Sequence, residues 1–226
     1  MVTTVDVHVV RLFVDPSGAF GNPLGIVDGT QVPAEARLGV AAALGYSETV
    51  IIDDHAAGVV QIFTATTEMP FAGHPTVGVA WWLHSHGYDT PVLRVPAGEV
   101  SVTRSGDLTS VQADPSWGSA FTWYELSSPG AVLAADPGSY SDEHSYLWSW
   151  ISEEAGTIRS RMFAPAMGIA EDEATGSAAT QLTGRLARPL HITQGAGSQL
   201  ITTVVSPTAV TVGGRVTAAP PRTISV

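Results

Sequence analysis

Apolar and polar positions along this chain alternate in short runs broken by glycine and proline, the pattern of β-strands joined by tight turns. Val5–Phe13 alternates and is rich in β-branched side chains, which predicts a strand. Gly18, Gly21, Asn22 and Pro23 break it with a loop, and Leu24–Val27 resumes as a second strand. Pro33 is placed to open a helix from Ala34 to Leu44, with Gly45 to stop it. Strands follow at Ser47–Ile52, ending in an acidic turn at Asp53 and Asp54, and at Val59–Thr64. After His74 the period changes. Val77, Val79, Ala80, Trp81 and Leu83 cover most of a helix surface, and a helix apolar nearly all round belongs inside its lobe. Leu93–Thr103 and Leu108–Gln112 read as a hairpin turning at Ser105-Gly106-Asp107.

From Ala113 to Gly156 the chain has no clean period, and a lobe boundary is expected at the start of this stretch. That gives an N-terminal lobe over 1–112 and a shortened C-terminal lobe over 113–226. Further on come a strand at Ile158–Phe163, a helix at Ala174–Leu186, and strands near Leu190–Thr193, Leu200–Val205 and Ala209–Val212. Strand, glycine-containing turn, helix and strands therefore occur twice. The two turn-to-helix cassettes are Gly73-His74-Pro75-Thr76-Val77-Gly78-Val79-Ala80 and Glu171-Asp172-Glu173-Ala174-Thr175-Gly176-Ser177-Ala178. Setting His74 against Asp172 brings Gly78 onto Gly176 and Ala80 onto Ala178. A duplicated α+β half can place one chemical group from each copy on opposite walls of a single cleft.

Composition narrows the functions. The net charge of −11, from 10 basic and 21 acidic side chains, repels phosphate backbones and anionic membranes, so neither nucleic acid nor membrane is expected as a partner. A small anion can still bind where a local helix N-terminus outweighs the global field. No apolar run approaches the roughly 20 residues that cross a bilayer. Residues 1–20 lack the pattern of a signal peptide, which makes the cytoplasm the expected location. The absence of cysteine removes disulfides, thiolate metal sites and thiol acid/base chemistry.

His74 and Asp172 fall where each cassette turns into its helix, beside backbone N–H groups that can cradle a carboxylate or a developing oxyanion. Taken alone, Asp172 reads equally as a helix cap and His74 as a satisfied structural histidine; their matched placement favours function. Glu48 lies in Gly45-Tyr46-Ser47-Glu48-Thr49, between a helix end and a strand, where a carboxylate can face a cleft or simply solvent. His84 and His86 are two apart on a helix and face different ways, and no zinc spacing, G-x-S-x-G elbow, P-loop or GxGxxG fingerprint occurs. Trp81 and Trp82 fit the core or a subunit contact.

Four segments together resemble the PhzF phenazine-biosynthesis isomerase family: Gly21-Asn22-Pro23-Leu24, Ser47-Glu48-Thr49-Val50, Phe71 to Gly78, and Glu171 to Ala178. They stand in the family's order. The resemblance implies the diaminopimelate epimerase-like fold: two pseudo-symmetric α+β lobes, each a mostly antiparallel sheet curled around a central helix, with the site between them. It also implies a homodimer acting on a small molecule by proton transfer, with neither cofactor nor metal. By residue, Glu48 matches the proton-shuttling glutamate, His74 the active-site histidine and Asp172 the active-site aspartate. Gly73 and Ser177 match substrate-contacting positions around the two helix N-termini, and Ser47, Thr175 and Gly176 are expected to bind substrate beside them.

Three departures from the family pattern stand out. Glu173 replaces the usual proline and puts an extra carboxylate beside the site. The middle segment, 113–157, is short. After Gln194-Gly195, Ala196-Gly197-Ser198-Gln199-Leu200 replaces a glycine-arginine-proline run. The leading expectation is a cofactor-independent isomerase that moves a proton on a small cyclic or unsaturated carboxylate in secondary metabolism. An epimerase or another proton-transfer enzyme, such as a carbon–carbon hydrolase, and a catalytically silent binding protein remain as alternatives.

Overall fold

A computed structural model describes residues 4–226 as one 15-stranded sheet with four α-helices packed on it. The first half runs β1 (Thr4–Val14), β2 (Asn22–Asp28), α1 (Arg37–Leu44), β3 (Thr49–Asp54), β4 (Val59–Phe63), β5 (Glu68–Met69), α2 (Gly73–Ser85), β6 (Val92–Val95), β7 (Gly98–Ser105) and β8 (Leu108–Ala113). The second runs β9 (Thr122–Glu125), α3 (Pro129–Ala134), β10 (Ser145–Ser152), β11 (Thr157–Ala164), β12 (Ile169–Asp172), α4 (Gly176–Leu186), β13 (Leu190–Gln194), β14 (Ser198–Ser206) and β15 (Ala209–Ser225).

Strand pairing shows the duplication. β2 and β3 are parallel, as are β9 and β10. β4 lies antiparallel to β3 and parallel to β6; β11 does the same with β10 and β13. Short β5 flanks β4, and β12 flanks β11, just before each central helix. β6, β7 and β8 meander antiparallel, as do β13, β14 and β15. The halves join where β15 pairs with β8, and β15 then continues alongside β1.

α2 is the central helix of the first half. From Gly73 to Ala80 every residue is buried, as the all-round apolar pattern demands. Gly78 makes this possible, because a Cβ there would lie 2.5 Å from Leu24 Cδ2 and 2.8 Å from Leu12 Cδ2. α4 is amphipathic instead, burying Ala178, Ala179, Thr180, Leu182 and Thr183.

The structure departs from the sequence reading in four places. Leu93–Thr103 is two strands, because Pro96, with no N–H to donate, sits in a turn between β6 and β7. The aperiodic stretch contains β9, α3 and β10. In β10 both faces are buried from Ser145 to Ser149, which erases the period-two signal. β15 continues far beyond Val212 through Gly213 and Gly214, where a Cβ would strike Thr109 O at 2.5 Å or Phe13 Cδ1 at 2.7 Å. These glycines mark a close strand crossing rather than a strand end. Finally, the second cassette helix begins at Gly176, not Ala174, which changes the register of the repeat.

Candidate active site

Gly45, at φ 68, ends α1 in the left-handed conformation and turns the chain so that Ser47 and Glu48 precede β3. His74 is the second residue of α2, whereas Asp172 ends β12, four residues before α4 begins. The two are therefore not equivalent positions: Gly73 corresponds to Gly176, each being the first residue of its helix. Those N-termini abut. A Cβ on Gly176 would sit 2.8 Å from His74 N, and one on Gly73 would sit 3.1 Å from Gly176 C. Only glycine permits this approach. Neither helix has a side-chain cap, and Pro75 has no N–H, so the first-turn amides of Gly73, His74, Gly176 and Ser177 have no acceptor among the described residues.

The structure brings Glu48, His74 and Asp172 together through one residue to which sequence reasoning gave no role, Asn22. His74 Nδ1 lies 2.9 Å from Glu48 Oε2, and His74 Nε2 lies 3.3 Å from the Asn22 carbonyl oxygen. A carbonyl and a carboxylate both only accept, so both ring nitrogens carry a hydrogen and the ring is the imidazolium. The Asn22 side-chain amide donates to Asp172 Oδ1 at 2.7 Å and to the Ala174 carbonyl at 3.3 Å. Thr175 Oγ1 donates to Asp172 Oδ2 at 2.6 Å and accepts from Gln194 Nε2 at 2.8 Å. Tyr146 OH reaches Gln194 Oε1 at 3.3 Å and Ser160 Oγ at 2.9 Å. Because Oε1 only accepts, Tyr146 donates to it and Ser160 donates to Tyr146.

Both oxygens of Asp172 are thus committed to protein donors. Glu48 Oε1 accepts no hydrogen bond among the described residues. The Glu48 side chain is 19% exposed, against 3% for His74. Ser47 Oγ beside it is buried with no partner, and Ser177 lies against the Gly118 loop.

Charges follow from this packing. Burial pushes the Glu48 carboxyl up, but the hydrogen bond and charge of His74 outweigh it and hold Glu48 below its ordinary value. Burial pushes His74 down, but its hydrogen bond to Glu48 and the nearby carboxylates raise it above its ordinary value. Both shifts favour the carboxylate–imidazolium form of the pair. Asp172 is pushed up to about 6, first by burial and then by the charge of Glu48.

Glu173 does not add a carboxylate to the cleft. Its Oε2 accepts from Ala196 N–H at 2.8 Å and its Oε1 from the Ser198 hydroxyl at 2.7 Å, inside the turn that replaces the family's glycine-arginine-proline run. Among the described residues no cluster of three His, Asp or Glu is placed to hold a metal ion.

Two duplicated α+β halves with carboxylates gathered around one histidine at abutting helix N-termini define an enzyme of the epimerase-like, two-lobed class. The chain belongs to the PhzC-PhzF family of phenazine biosynthesis-like proteins, whose model matches residues 13–129 and 145–212. It is similar to the trans-2,3-dihydro-3-hydroxyanthranilate isomerase of Pseudomonas fluorescens, at 28% identity over 77% of this chain and 80% of that one. In fold it matches a PhzF-family phenazine biosynthesis protein from Enterococcus faecalis, with TM-score 0.79, 18% identity, and 98% and 99% of the two chains covered. A hydroxyproline epimerase from Agrobacterium vitis shares the fold at TM-score 0.67 and 13% identity, over 99% of this chain and 93% of that one. The chain is an isomerase of the diaminopimelate epimerase-like fold, and no helix among its described residues is long and apolar enough to cross a membrane.

Proposed function

We propose that the cleft isomerises a small cyclic or unsaturated carboxylate by moving one proton between two carbons, with Glu48 as the single acid/base and no cofactor. The observation that carries this reading is the asymmetry of the carboxylates: Glu48 Oε1 accepts no hydrogen bond among the described residues and its side chain is partly exposed, whereas both oxygens of Asp172 are taken. The Glu48 carboxylate removes a proton from one ring carbon through Oε1. The C–H electron pair enters the unsaturated system, and the uncapped amides of Gly73, His74, Gly176 and Ser177 stabilise the charge and the substrate carboxylate. His74 Nδ1–H stays on Oε2, which leaves the acquired proton on Oε1, aimed at the substrate. The same oxygen returns it to a second carbon on the same face.

His74 and Asp172 hold the charge balance. Ser177 offers its hydroxyl to substrate substituents, the buried Ser47 hydroxyl supports Glu48, and Thr175 fixes Asp172. A two-base epimerase needs a free base opposite Glu48, and the committed oxygens of Asp172 oppose that reading. A dihydro-hydroxyanthranilate, the compound named for the Pseudomonas relative, is the first substrate to try. The working unit is a homodimer in the cytoplasm, serving secondary metabolism, as the family resemblance implies. Glu48→Gln tests the central role: turnover should fall by about 10²–10⁴ while the variant still folds and binds. Unchanged turnover would refute it.

A further inference from the structure

Next to Asp172 and Asn22 along the chain, three residues form a relay that crosses between the halves. Gly21 N–H donates to Ser198 Oγ at 3.0 Å, and the Ser198 hydroxyl donates to Glu173 Oε1 at 2.7 Å. Glu173 is itself fixed, because its other oxygen accepts from Ala196 N–H. The turn wraps this carboxylate closely: Gly195 has φ 59, and a Cβ there would overlap the Glu173 carboxyl. Arg159, buried under the turn, donates to the Thr193 and Gly195 carbonyls and places its charge towards Glu173. The other end of the relay is equally constrained. Gly21 has φ 82, and a Cβ there would meet Leu12 O at 2.8 Å. Its neighbour Asn22 bonds both His74 and Asp172.

We propose that Glu173 is a positioning residue, which through Ser198 and Gly21 sets Asn22 and so holds His74 and Asp172 in register across the two halves. The inference rests on the proposed site but not on any substrate. The Gly21–Ser198 bond joins the Gly21–Asn22 segment of the first half to a turn of the second half that Glu173 holds, one residue away from groups that determine the site's charge. Released from Ser198, the Gly21–Asn22 segment keeps its pairing with Leu12 and its contacts with Arg11, both within the first half, so it shifts relative to the second half and changes the distances from His74 to its carbonyl acceptor and to Asp172.

The test is titration of the histidine ring Cε1–H signals by NMR in wild type, Glu173→Ala and Ser198→Ala, with His74 assigned from a His74→Gln spectrum. Both variants should lower the His74 midpoint by about half a unit or more, because its acceptor and nearby carboxylate shift away. Exposed His191, outside the relay, should be unmoved. A simple loss of stability would leave the midpoint of the folded protein in place. An unmoved His74 midpoint in both variants overturns the proposal. A shift with Glu173→Ala alone overturns the route through Ser198. Neither reading depends on catalysis, so failure of the isomerase assignment is seen separately, as absence of turnover by wild type.

Discussion

Replacing Asp172 with asparagine should remove a pH dependence of stability that the buried carboxyl imposes. Folding raises this group from 3.8 to about 6, so the folded state favours its protonated form. The associated stability is fully present below 3.8 and is lost as pH rises past 6. The rise of about 2 units corresponds to about 3 kcal/mol in full, of which roughly half falls between about pH 5 and 7.5. Asparagine has no charge to desolvate, but its NH₂ group faces the Asn22 amide or the Thr175 hydroxyl. That mismatch costs about 1–3 kcal/mol at every pH. The signature is therefore the slope rather than the offset. Asp172, Glu48 and His74 titrate as a coupled set, so the quantity to read is the difference curve between the two proteins. Urea denaturation midpoints at half-unit steps from about pH 5 to 7.5 would supply it. The variant should gain about 1.5 kcal/mol on wild type across that range. A constant difference between the two proteins would refute the burial of Asp172 as a charge-disfavouring site.

Other substitutions probe the packing behind the site. Gly176→Ala places a methyl 2.8 Å from His74 N and 3.0 Å from Gly73 C, both backbone atoms, so it should cost about 1–3 kcal/mol and depress kcat by parting the helix N-termini. Gly78→Ala drives a methyl into Leu12 and Leu24 and should cost about 1–3 kcal/mol, read as a lower Tm. Tyr146→Phe strips the donor from buried Gln194 Oε1 and should destabilise by about 1–3 kcal/mol in chemical denaturation, with a smaller loss of activity than Glu48→Gln.

The duplication was legible because each half carries its own turn-to-helix cassette and its own burst of strand patterning. Its register was not. Matching His74 to Asp172 by residue similarity ignores the backbone, which places Gly73 opposite Gly176 because only glycines allow the two helix starts to meet. β10 was hidden because Tyr146, Leu147 and Trp148 are all buried, so no alternation remains to read. Asn22 sat in a recognised Gly21-Asn22-Pro23-Leu24 segment but read as turn chemistry, since a local pattern does not show a bond to a residue 150 positions away. Gln194 did leave a signal. It shares the inward face of β13 with Leu190 and Ile192, and a polar side chain at such a position asks for a buried partner. Glu173 and the Ala196–Leu200 substitution looked like two separate departures; the structure makes them one, a carboxylate and the turn that holds it.

The central claim, that one glutamate lifts and returns the migrating proton, is tested most directly by following the reaction in D₂O by NMR. Wild type and Glu48→Gln would each be given trans-2,3-dihydro-3-hydroxyanthranilate and a panel of related cyclic dienoic acids. Wild type alone should give a product whose double bond has moved, with protium from the substrate on the carbon that gains hydrogen and deuterium there only to the extent that the Glu48 proton exchanges before return. Label entering the original stereocentre without double-bond migration, equal turnover by both proteins, or no isomerisation of acids that demonstrably bind would contradict the account.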